Sequence, residues 1–314
     1  MAVVGVQSAL SGIVVRKLLL SHSSRWPSPH MLNAVPQCKQ HHVPRQVNIC
    51  LRTNLEARQA TLVKVKARTL QLVNQHLAER GRFVSPTSAF ADISRFRSPE
   101  GDYCALIYDV VPFEGIKTVK EVYDALKCYY HNMEIRVTEA LGDVTIREDD
   151  GSSGPGISQC RVVSYLSNGA QLEMNAVICS HYEDVDLEYG EGRATGIFSE
   201  DFVDQDDLYP YLPNERVRQD VTVVLRIKSH LRKRVSRDGS EEDELVVVLT
   251  RWGHVKIHKT DIALPTPVVH EIREGIAQWG DVMLQAVREL VYHPGRPLDL
   301  EAMTRKKSPT RVDV

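Results

Sequence analysis

The sequence predicts an α+β fold in which a curved antiparallel sheet grips one long C-terminal helix, with a helical extension on the N-terminal side. Three observations predict it. β-branched and aromatic runs recur between residues 103 and 258, two of them pairs joined around Asn-Gly or Asp-Gly. Between Tyr103 and the first such pair lies one amphipathic helical stretch, Val119 to about His131. The chain then closes on residues 267–292, whose apolar positions recur at three- and four-residue steps.

Taken in order, Tyr103–Val111 (YCALIYDVV) reads as a strand ended by Pro112 and Gly115. Thr118 with Glu121 three residues on has capping-box spacing and opens the helix that carries Val119, Val122, Tyr123, Leu126 and Tyr129. Asp143–Glu148 is a short strand before the glycine-rich turn D-D-G-S-S-G-P-G. Arg161–Leu166 and Gln171–Tyr182 form a hairpin around Asn168-Gly169. In the second strand Leu172, Met174, Ala176, Ile178 and Tyr182 share one face, and Gln171, Glu173, Asn175 and His181 the other, so one face is expected buried and one wet.

Val221–Leu231 and Leu245–His258 make the second hairpin, with Asp238-Gly239 at its tip. Val221, Val223, Leu225 and Ile227 align inward against Leu245, Val247 and Leu249, and the same parity carries Arg251 inward. An inward arginine needs a partner, because an unpaired buried charge is too costly to keep. The basic strand end Lys228–Arg237 is expected to meet Glu241–Glu244 across the turn. In the last element Val268, Ile272, Ile276, Trp279, Met283, Val287 and Leu290 lie on one face; about 24 residues would span roughly 36 Å as a single rod.

The flanks differ in composition. The chain has 314 residues and a formal net charge of −2, yet residues 1–55 hold no acid and six bases. Residues 1–52 read as a disordered basic leader, and the composition of residues 1–30 is also that of a mitochondrial presequence. Gln7, Ser8, Ser11 and Arg16-Lys17 interrupt the first apolar run before a membrane span is reached. Residues 53–81 read as an amphipathic helix through Leu55, Leu62, Val65, Leu72 and Leu77, stopped at Gly81. Leu55 and Leu62 keep heptad spacing, but positions 69 and 76 are Thr and His, so docking on the domain behind it fits better than a coiled coil. Residues 294–314 are expected to be a flexible basic tail.

Three stretches carry a family resemblance: D-D-L-Y-P-Y-L-P-N-E-R-V-R-Q-D-V-T (206–222), E-L-V-V-V-L-T-R-W (244–252) and V-V-H-E-I-R-E-G-I-A-Q-W-G-D-V-M-L (268–284). With the order strand, helix, strands, long C-terminal helix, residues 100–293 resemble a START-like (helix-grip) domain, and more narrowly the mating-specific-type, basic-zipper-associated START-like group. The resemblance implies a lipid or other apolar guest held between sheet and helix, and an upstream zipper or coiled-coil helix at 53–80.

Chemistry signals are sparse. H-E-x-x-H, G-x-S-x-G, Walker and Rossmann motifs are missing, so no catalytic residue, cofactor or metal is expected. Six scattered cysteines without a C-x-x-C pair suggest reduced thiols and an intracellular protein, cytoplasmic or nuclear. His41-His42 with Cys38 and Cys50 lack paired-ligand spacing. The ten carboxylates of 183–207 read as solvated loops forming an acidic face for a protein partner. The near-neutral charge gives no reason to expect nucleic acid.

The candidate ligand-binding residues are Arg251, Trp279, Met283, Met174, Ile178, Leu225 and Leu249, lining the space between sheet and helix, with Arg251 as an anchor for an anionic group. An enzyme would need a titratable pair there, and the inward strand positions offer only Arg251. The expected function is a non-enzymatic START-like domain that binds an apolar or lipid-like ligand or serves as an interaction or regulatory module. The alternative is a regulatory protein whose 53–80 helix mediates dimerisation or nucleic-acid binding.

Overall fold

The structure, a computed structural model, describes Leu77 and residues 81–293 apart from 150–155, 188–191, 207–208 and 236–240. The expected leader and tail, nearly all of the 53–81 helix and the tip Asp238-Gly239 lie outside the described residues.

Eight strands form one sheet: β1 (Phe90–Arg97), β2 (Tyr103–Phe113), β3 (Val144–Asp149), β4 (Ile157–Tyr165), β5 (Gln171–Asp186), β6 (Arg193–Phe202), β7 (Val217–Val235) and β8 (Glu241–Ile257). Their order is β1-β2-β8-β7-β6-β5-β4-β3, with every neighbouring pair antiparallel. Past the end of β6, the start of β7 also pairs in parallel with the start of β5, Leu172 with Val217 and Glu173 with Arg218, which draws the sheet into a curve. β1 and β6 were not expected from the sequence.

Helix α1 (Val119–His131) starts as its sequence dictates. Thr118 Oγ1 accepts from the Glu121 backbone N–H, and Glu121 Oε1 accepts from the Thr118 N–H at 3.1 Å. A second helix, α2 (Met133–Leu141), follows after Asn132 and ends at Gly142, whose φ of 76° is the left-handed conformation that favours glycine.

The expected single C-terminal rod is interrupted. It consists of α3 (Thr266–Glu274), a 3₁₀ turn (Gly275–Ala277) and α4 (Gln278–Tyr292). The physical reason lies in G-I-A: Gly275 is a weak helix former, and the tighter turn lets Ile276 reach the core while Trp279 and Met283 keep facing it.

Alternation along the strands sorts the core into two faces. The inner face carries Ile107, Val111 and Phe113 of β2, Leu225 and Ile227 of β7, Leu249 of β8 and Phe198 of β6. These pack against Val122 and Leu126 of α1, Val137 of α2, Ile272 of α3 and Val282, Met283, Ala286 and Val287 of α4. Each such side chain, fully buried, contributes about 1.5–3 kcal/mol. α1 comes so close to β6 that a Cβ on Gly196 would meet Tyr123 Cδ2 at 2.9 Å.

The outer face is also dry in its middle. Tyr108, Val110, Ile197, Val224, Val246, Val248 and Trp252 form a second cluster, and Leu77 is buried among them. The expectation of a wet face on β5 is likewise corrected: Glu173 and Asn175 are 1% and 0% exposed. The chain between β6 and β7 covers them, with the Tyr209 carbonyl accepting from Asn175 Nδ2, and Arg161 and the Leu212 N–H satisfying Glu173. At the far end of the second hairpin Arg232 and Arg234 meet Glu244, and Lys233 meets Asp243. An eight-stranded curved sheet with helices on its inner face and the last helix laid across it is the helix-grip α+β arrangement.

Candidate functional site

Antiparallel register builds the site. Asp109 on β2 stands directly across from Arg251 on β8, and both point to the inner face. The Arg251 Nε donates to Asp109 Oδ2 at 2.5 Å and Nη2 approaches the same oxygen, both residues being 5% exposed. Burial lifts the Asp109 carboxyl above its ordinary range, and the Arg251 charge and hydrogen bond work against that lift. Asp281 lies 3.9 Å from Arg251 on the solvent side. Arg251 therefore has a resident anionic partner rather than an open anion site.

The helix closes directly over this pair. A Cβ on Gly280 would sit 1.9 Å from Arg251 Nη1, so a larger residue would have to push aside a guanidinium that Asp109 holds in place.

Beside the ion pair, sheet and helices leave a cavity of about 60 Å³ between them. Its floor is Ile107, Met174, Val221, Val223 and Val255; Tyr129, Tyr130 and Met133 form one wall. Ile276, Ala277, Trp279, Gly280 and Met283, the turn and first residues of α4, form the roof. Space of that size holds about two waters at roughly 30 Å³ each, well under the ~300 Å³ lower end of pockets for drug-sized ligands. A whole lipid does not fit this conformation.

Of the residues singled out from the sequence, Met174, Arg251, Trp279 and Met283 border the cavity. Ile178, Leu225 and Leu249 belong to the inner core but not to the cavity wall. Sequence reasoning missed Glu200, Gln219, Tyr130 and Gly280.

Glu200 matters most. It projects inward from β6 opposite Val223, is 5% exposed, and its Oε2 accepts a long hydrogen bond of 3.4 Å from the Tyr130 hydroxyl. Its Oε1 is buried without a hydrogen-bond partner. Burial pushes its pKa up to about 7, against the pull of the Tyr130 hydroxyl and the Arg147 charge. The premise that Arg251 is the lone inward titratable group is thus corrected.

The expectation that 183–207 is solvated loop is corrected with it. Residues 193–202 are β6, and Asp186, Glu200 and Asp206 are buried, because alternation turns every second residue of a strand inward and a loop covers the outer side. Glu183 and Asp184 stay exposed, and Glu188, Glu191 and Asp207 lie outside the described residues.

On the outer face a second polar cluster is self-contained. Asp220 is met by Arg218 Nε at 2.6 Å, His258 Nε2 at 2.6 Å and Lys256 Nζ at 3.2 Å. Burial would raise the Asp220 pKa, but His258 and Arg218 outweigh it and hold the carboxyl below its usual range. Cys104, Cys160 and Cys179 are buried and Cys128 exposed, all as free thiols; Cys38, Cys50 and the His41-His42 pair lie outside the described residues. Among the described residues no group of His, Cys, Asp and Glu is arranged to hold a metal, and no helix is long and apolar enough to cross a membrane.

No protein-family model and no curated protein sequence matches the chain. Among solved structures it is similar to human STARD10, at 12% identity and a TM-score of 0.39, over 74% of this chain and 86% of that one. It is also similar to the di-domain ARO/CYC BexL from the BE-7585A biosynthetic pathway (11% identity, TM-score 0.27, 80% and 61% of the two chains). A third likeness is to Ara h 8.0201 (13% identity, TM-score 0.22, 65% and 97%). The helix-grip assignment itself stands on this chain's own strand order, register and helix placement.

Proposed function

We propose that residues 100–293 are a non-enzymatic binding module that takes a small, mainly apolar molecule into the gap between the sheet and the C-terminal helix. The observation that carries this reading is the cavity of about 60 Å³ beneath the point where that helix is interrupted. A close-packed interior leaves few voids larger than a water, and this one lies under the roof segment Ile276–Met283, where the helix changes its winding. A lipid-like guest requires that roof to lift; a smaller one does not. Binding rather than turnover is favoured because Arg251 is committed to Asp109, and the Tyr130 hydroxyl that faces Glu200 on the wall is held at a long 3.4 Å and kept protonated by burial.

Native mass spectrometry of the full chain purified from its own cells tests this. A co-purified small molecule, released on mild activation, is the expected result; a bare polypeptide mass would turn the reading to a structural scaffold.

A further inference from the structure

We infer that the guest of this cavity carries a hydrogen-bond donor, a hydroxyl or a protonated amine, set against Glu200, with its apolar body under the C-terminal helix. This rests on the binding reading above and narrows it to a class of ligand. Asp109 has Arg251, Glu173 has Arg161 and Arg216, and Asp206 has Gln159 and the Tyr209 N–H; Glu134 and Glu139 each keep one carboxylate oxygen without a hydrogen bond, but neither lines the cavity. Glu200 has the distant Tyr130 hydroxyl on one oxygen and no hydrogen-bond partner on the other, and it lines the cavity.

Acceptors left unmade in an interior are rare, and each asks for an explanation. Here the neighbours do not supply one. Arg147 of β3 donates instead to Asp149 and to the Tyr130 carbonyl, and Arg251 is held by Asp109. A donor on the guest completes the site. The Tyr129 and Tyr130 rings beside Glu200 suit a cationic amine as well as a hydroxyl, while an acid would meet the Glu200 carboxyl with no free cation facing it.

The test titrates the full chain with propan-1-ol, propylamine, 1-chloropropane and propionate, reading amide shifts by NMR. The alcohol or the amine should bind about tenfold tighter than the chloride, the size expected of a hydrogen bond to a charged or polar buried group. Glu200→Gln keeps a carbonyl oxygen, so it should retain an alcohol and weaken an amine about tenfold, which separates the two sources. Glu200→Leu should erase the preference for either. Should that variant not fold, the wild-type ranking still decides. Equal affinity for chloride, alcohol and amine, or tightest binding of propionate, overturns the donor assignment and leaves the binding reading standing. Binding of none of the four overturns both.

Discussion

A carboxyl that titrates near neutrality inside a closed interior ties the stability of the fold to pH. Glu200 has its pKa pushed from 4.5 to about 7 in the folded chain. Between those values the native state holds a proton that the unfolded chain has released, so the contribution of Glu200 to stability is greatest below about pH 4.5 and falls as pH rises through 7. The full effect is on the order of 3 kcal/mol. Asp201 is raised in the same way and Asp220 lowered, so the cleanest measurement is a difference. Glu200→Gln should be more stable than wild type at pH 8 by up to about 3 kcal/mol, with the gap closing toward pH 4.5, as read by urea unfolding. A gap that does not change with pH would mean that Glu200 titrates normally. At this scale the sequence is half readable. Strand parity puts Arg251 inward, and the same parity along Ile107, Asp109 and Val111 names its partner. Glu200 is hidden among ten carboxylates whose density suggests solvent, although alternation with Phe198 marks it as inward.

For the elements, the C-terminal helix is the instructive case. Its apolar face is legible from Val268 to Leu290, but periodicity says nothing about the continuity of the hydrogen-bond ladder. Gly275 and Gly280 were the available signals, each costing about 1 kcal/mol against alanine in a plain helix. Gly280 is kept for the space over Arg251. Gly280→Ala should therefore lower Tm in spite of its better helix propensity, with a net loss of about 1–3 kcal/mol from overpacking. Adding Asp109→Leu with Arg251→Met removes the guanidinium and should recover most of that loss; if Gly280→Ala alone raises Tm, the close approach is not what holds glycine there. β6 escaped notice because R-A-T-G-I-F-S-E-D-F mixes small and charged residues, and its strand character comes from neighbours on both sides.

At the scale of the whole molecule, both sides of the sheet are covered over β2, β7 and β8. The run Val246-Val247-Val248-Leu249 has no alternation, which is the pattern of a strand buried on two faces. Leu77 is fully buried on the outer side, so that position of the upstream stretch is engaged with its own domain rather than with a second chain. Leu77→Ala should cost about 2–5 kcal/mol by thermal or urea unfolding. Deleting residues 1–90 should expose Tyr108, Val246 and Val248 and cause association visible by light scattering. If the full chain is a dimer and the shortened one a clean monomer, dimerisation through 53–80 gains the advantage instead. What the sequence could not convey is which face Leu77 packs on, since that depends on pairings between residues far apart along the chain.

Those distant pairings set the timetable of synthesis. β2 is flanked by β1, made just before it, and by β8, whose Val255 pairs with Ala105. While the chain grows on the ribosome, the centre of the sheet stays open until nearly all of it has emerged, and long-range closure of this kind is slow. Nascent chains halted before residue 245 would carry β2 and β7 as unpaired edges, the kind of surface on which chains associate wrongly.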